Sequence, residues 1–229
     1  MTTRMTPPET ARPFPLAADG YQRVLLTGVG WADYEAIGQA LRERPNLRLT
    51  YDRGRLEIMT LSPEHEVLKS LLATLLSMLG DELNLRGLPF GSTTLRQADE
   101  SGVEPDLCYY YTDLDRVRHL TRIDLTRDPA PDLVIEIDVT HSSVPRLPLL
   151  ARIGVPEVWR WEQDVVRVYT LSADGSFAVS DTSSAFVPDF PVNELLRFPA
   201  IARADCEAAM MRAFRTWLRE WLAARGLTG

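Results

Sequence analysis

The chain has 229 residues, of which 45% are hydrophobic and 25% charged, the balance of a globular protein with a core of its own. No apolar run nears the roughly 18 residues that a membrane helix requires, and the first twenty residues hold four prolines and no signal-like apolar stretch. A net charge of −7 excludes a uniformly basic nucleic-acid binder but leaves room for a local basic groove. Two cysteines, Cys108 and Cys206, are too few for a disulfide framework or a cysteine zinc site, so the expected compartment is the reducing cytoplasm.

In chain order, residues 1–20 are Pro-rich and without hydrophobic period, and read as a mobile tail before one domain spanning 21–229. Trp31, Tyr34, Ile37 and Leu41 recur at helical spacing. Two β-like runs then flank Asp52-Arg53-Gly54, a hairpin in which Gly54 supplies the positive φ. Ser62-Pro63 reads as an N-cap with proline at the first helical position, and Glu64 and Glu66 complement the helix dipole. A leucine face follows, and the helix is expected to run over 63–86 and stop at Gly87.

Residues 105–111 and 131–140 are strand-like, each entered through Pro-Asp, with a polar surface excursion between them. A short helix ending at Gly154, a strand from Pro156 and a hairpin about Asp174-Gly175 follow. The chain closes on an amphipathic helix over 205–225, with Phe214, Trp217, Leu218, Trp221 and Leu222 on one stripe. This order predicts an α/β fold on a mixed sheet.

His65, His119 and His141 are scattered without metal-ligand spacing, and the serine-hydrolase, dinucleotide and P-loop motifs are absent. The informative residues are acidic. Asp106 enters one strand; Glu136 lies mid-strand among Val134, Ile135 and Ile137, on the same face as Asp138. A carboxylate in such company needs a partner. A hard divalent cation is one candidate and an arginine the other, and spacing alone leaves both open. The supply of arginine is ample, since Lys69 is the only lysine among 25 basic residues.

The runs GRLEIMTLSPEHE, EPDLCYYY, PDLVIEIDVTHSS and GVPEVWRW, in this order, resemble the PD-(D/E)XK nuclease superfamily. Within it they are similar to a bacterial family labelled "putative restriction endonucleases". The resemblance spans roughly residues 24 to 170. It implies a restriction-endonuclease-like core, a central mixed β-sheet flanked by helices, with an N-terminal hairpin and a C-terminal helix added. It implies that Asp106 and Glu136 hold Mg²⁺ or Mn²⁺, that Glu66 supports the metal, and that the substrate is nucleic acid, DNA in the first place. A homodimer also follows from the resemblance, with the Trp217/Trp221 stripe as one apolar surface for it.

The sequence departs from the superfamily where its lysine would stand, two positions after Glu136, at Asp138. Asp138 is then a candidate third carboxylate ligand. The matching basic residue is Arg146, which stabilises charge but cannot act as a general base. Lys69, one turn after Glu66, is an alternative supplier or a solvated surface residue. The departure leaves a second function class open, a degenerate nuclease fold serving as a binding or scaffold module. An enzyme acting on a different substrate through the same carboxylates is a third.

Overall fold

The computed structural model describes residues 22–44, 46–138, 144–162, 164–183 and 187–227. The expected tail, His141, Ser142 and Ser143, and the side chain of Asp138 lie outside the described residues.

The N-terminal half begins with β1 (Arg23–Thr27) and α1 (Trp31–Ala40), followed by the hairpin β2 (Leu47–Asp52) and β3 (Arg55–Thr60). Both turn residues of that hairpin have positive φ, Arg53 at 46° and Gly54 at 86°. This primed geometry matches the twist of the strands, and an arginine accepts it where glycine alone was expected. Helix α2 (Pro63–Glu82) starts as the sequence predicts, with the Ser62 hydroxyl accepting the N–H of His65 at 3.2 Å.

Helix α2 ends earlier than Gly87. Asn84 takes φ +50°, Leu85 N–H reaches the Gly80 carbonyl at 2.8 Å, and Asn84 N–H that of Asp81 at 3.1 Å. This pair of bonds is a Schellman motif with asparagine in the left-handed position, a role asparagine fills because its short polar side chain tolerates that conformation.

The short strands β4 (Leu88–Pro89), β5 (Leu95–Gln97) and β6 (Ser101–Val103) lead to β7 (Leu107–Tyr110). The polar excursion is less irregular than expected: it holds α3 (Leu114–Val117) and β8 (Ile123–Asp124) and buries Val117 and Ile123. Next come β9 (Leu133–Asp138), α4 (Arg146–Arg152), β10 (Glu157–Glu162), β11 (Val165–Leu171) and β12 (Phe177–Ser180). A 3₁₀ turn (Val192–Arg197), α5 (Phe198–Ala204) and α6 (Glu207–Ala223) close the chain.

The strands divide between two mixed sheets rather than joining one. The first has the order β1-β3-β2-β6-β5-β8 and the second β12-β11-β10-β9-β7-β4. In the second, β9 and β10 run parallel, joined through α4, while β7 pairs antiparallel with β9. Strands β7 and β9, which fall within segments 105–111 and 131–140, therefore share one sheet, as the sequence predicts.

One face of this sheet, with Leu107, Leu133, Ile135, Ile137, Trp159 and Trp161, packs against the leucines of α2 and the aromatic side of α6. The other face packs Cys108, Val134 and Val158 against Leu149 and Leu150 of α4 and against Leu95 and Val103 of the first sheet. Trp159 and Trp161 are thus core residues. The stripe on α6 is likewise used within the chain: Trp221 packs against Phe190, and Trp217 against Phe198 and Phe214. That stripe is no exposed surface for a dimer.

Candidate active site

Two strands set the acidic pair. The register Leu107↔Ile135 and Cys108↔Val134, continued by one step, puts Asp106 opposite Glu136. Directly opposed residues of an antiparallel pair have Cβ atoms roughly 4.5–5.5 Å apart, so two residues distant in sequence become neighbours. Both are buried, Asp106 to 1% exposure and Glu136 to 7%.

Asp106 is held at both oxygens. Its Oδ1 pairs with the Arg48 guanidinium and lies 3.0 Å from His65 Nε2; its Oδ2 accepts the backbone N–H of Ile137 at 2.6 Å. Arg48 comes from β2 in the other sheet and is itself only 4% exposed. Burial, and then the neighbouring Arg146 guanidinium, lower the Arg48 pKa to about 10, which leaves it charged at neutral pH. Glu57, also buried, lies 3.4 Å from Arg23 Nε on β1.

Glu136 is held by Arg146, whose Nη2 and Nε donate to Oε1 at 2.9 and 3.2 Å. Arg146 stands at the first turn of α4, from which it also donates to the Glu104 carbonyl at 2.5 Å and the Thr50 hydroxyl at 3.3 Å. Glu104 in turn ties the region together: its carboxylate accepts the Leu49 N–H at 3.1 Å and the Thr94 hydroxyl at 3.0 Å.

His65 is buried. Desolvation first, then Arg48, lower its pKa to about 4, so the ring is neutral. Its Nδ1 lies 3.5 Å from the Glu66 Oε1, and neither atom has a hydrogen-bond partner.

Glu66 does lie beside the acidic pair, through His65. Burial works to raise its carboxyl, but the Lys69 ammonium, 2.5 Å from Oε2, outweighs that with help from Arg48, and the net shift is downward. Lys69 is therefore an ion-paired residue on the flank of the site rather than a freely solvated one. Cys108, on the Glu136 face of the sheet, is pushed up to about 12 by burial and the nearby carboxylate, so it is an inert core thiol.

The structure thus brings together Asp106, Glu136, Glu66 and Arg146, and adds Arg48, His65, Thr50 and Glu104. Asp138 closes β9, with its side chain outside the described residues. Among the described residues no three acidic, histidine or cysteine side chains form a ready metal cluster. The donor chemistry nevertheless suits a hard cation that keeps most of its water, since Mg²⁺ is commonly held by only one or two carboxylates.

A family model described as "Uma2: Putative restriction endonuclease" matches residues 31–195. The chain belongs to this family. All eight residues of the site fall within the matched segment. Among solved structures the chain is similar to "a putative nuclease belonging to DUF820" from Anabaena variabilis ATCC 29413. Identity to it is 17% and the TM-score 0.48, over 66% of this chain and 90% of that one. No curated protein matches the chain. Among the described residues, no helix is long and apolar enough to cross a membrane.

Proposed function

We propose that the protein is a cytoplasmic, metal-dependent nuclease that hydrolyses phosphodiester bonds of nucleic acid, with DNA as the substrate. The observation that carries this reading is the register that sets Asp106 opposite Glu136, with Arg146 reaching the same carboxylate from α4. Asp106 and Glu136 would hold Mg²⁺ or Mn²⁺, with Glu66 at the flank and Asp138 as a further ligand. When bound, the ion supplies Lewis acidity toward the phosphoryl oxygen and a lowered pKa for an attacking water.

The protein's own groups do the rest. Arg146 is placed to balance negative charge that develops on the phosphate, and its permanent charge bars it from taking a proton. The buried setting strengthens each of these interactions relative to water. Self-association belongs to the same reading. The apolar side chains left exposed on β1, Val24, Leu25 and Leu26, stand at the edge of their sheet, where a second copy would add a strand.

The guanidinium partner on each carboxylate favours a second reading, a nuclease fold kept as a binding module without turnover. Incubation with single- and double-stranded DNA in Mg²⁺ or Mn²⁺ separates the two. Cleavage by wild type that Glu136→Ala abolishes is the expected result; intact DNA under all conditions, with binding retained, would establish the module instead.

A further inference from the structure

Resting on that metal-dependent reading, we propose that Arg48 and Arg146 are place-holders for the cation, neutralising Asp106 and Glu136 in the metal-free protein and competing with a divalent ion for them. They thereby set the apparent metal affinity of the site.

The geometry of the acceptors carries the argument. An ionised carboxylate offers about four lone-pair positions over its two oxygens. On Asp106, Oδ1 already receives Arg48 with His65 Nε2 3.0 Å away, and Oδ2 receives the Ile137 N–H. On Glu136, Oε1 receives two N–H groups of one guanidinium. A cation that ligates Asp106 Oδ1 or Glu136 Oε1 competes with the guanidinium for the lone pairs of that oxygen.

Charge points the same way. Two opposed buried carboxylates without partners would repel each other and lack solvation, and the two guanidiniums remove both penalties before any ion arrives.

Arg146 is built to let go without leaving. Its remaining donors are fixed on the Glu104 carbonyl and the Thr50 hydroxyl. An ammonium in its place would lack the planar fork that reaches three acceptors at once. If only the fraction of molecules with a released guanidinium accepts the ion, the apparent dissociation constant is the intrinsic one divided by that fraction.

The test is Mn²⁺ binding itself, followed by titration calorimetry and by the Mn²⁺ paramagnetic resonance signal, on the full chain in wild type, Arg146→Gln, Arg146→Lys and Glu136→Gln. Circular dichroism checks that each is folded. Arg146→Gln is expected to bind Mn²⁺ about tenfold more tightly than wild type, with Arg146→Lys in between and Glu136→Gln weaker than all. Wild-type binding that neither Arg146 variant tightens would overturn the place-holder role while leaving the metal-dependent reading intact. Should Arg146→Gln not fold, Arg146→Lys with wild-type affinity is enough to overturn it. Absence of Mn²⁺ binding in every protein would remove both ideas, and cleavage of DNA in chelator would then judge the nuclease reading separately.

Discussion

His65 links a buried carboxylate to the surface of α2 and gives the site a pH signature. Its pKa is about 4 in the folded protein, against 6.5 for a free imidazole. Between these values the unfolded chain binds a proton that the folded one refuses, so stability rises with pH. The contribution is present in full above pH 6.5, is lost as the pH falls toward 4, and changes by up to ~1 kcal/mol per pH unit on the way. Urea denaturation of wild type and His65→Gln between pH 4 and 7 measures it. Glutamine keeps a neutral polar side chain beside Asp106 and does not titrate, so the difference between the two proteins should grow as the pH rises. Parallel pH profiles would mean that His65 is not the group responsible. Arg48 shows the same scale from the other side: a buried cation on β2 appeared in the sequence as one of many arginines, and only its position beside Asp106 distinguishes it.

At the scale of elements, local chemistry explains most of the ends and one glycine explains a packing contact. Ser62 and Pro63 start α2, and Asn84 stops it where the leucine face has been used up. Strand β6 is different, because its central residue answers to a distant helix. Gly102 stands opposite Tyr51 of β2, and Tyr34 of α1 stacks on that same Tyr51 with ring centroids 4.8 Å apart. A Cβ on Gly102 would lie 2.1 Å from the Tyr34 hydroxyl oxygen, so α1 seats on the first sheet only because this position has no side chain. Gly102→Ala is expected to lower stability by about 1–3 kcal/mol through overpacking, seen as a lower Tm in a thermal melt. An unchanged Tm would show that Tyr34 moves aside without cost.

On the scale of the whole molecule, the site is a junction. Arg48 and Thr50 come from the first sheet, Asp106 and Glu136 from the second, His65 and Glu66 from α2, and Arg146 from α4. A shift of either sheet would separate a carboxylate from its guanidinium, so the ion pairs and the packing between sheets must form together. The edge strand β1 lies away from this junction and exposes Val24, Leu25 and Leu26 without a charge among them. Natural edge strands usually carry charge or proline to prevent pairing. If β1 is the dimer surface, Leu25→Lys should convert a dimer to a monomer in sedimentation velocity while leaving metal-dependent cleavage per chain unchanged. A wild-type protein that sediments as a monomer at all concentrations would rule the dimer out.

Residues that interact within a few positions were legible from the amino-acid sequence, because caps, turns and hydrophobic period act through neighbours. The Ser62 cap, the Asp52–Arg55 turn and the apolar strand around Glu136 all belong to that class, as does the inference that Glu136 needs a partner. The identity of the partner was not legible. Arg48 lies 58 residues from Asp106, and Thr50 lies 96 from Arg146. Nothing in the period or composition of either segment selects one arginine among 24. The division of the strands into two sheets was hidden for the same reason: pairing such as β2 with β6 depends on which backbone edges remain open once the chain has compacted. What the sequence alone determined is a set of elements and a buried carboxylate with a debt of charge. Only the tertiary structure decided which guanidiniums settle it, because long-range electrostatics depends on distance in space and not along the chain.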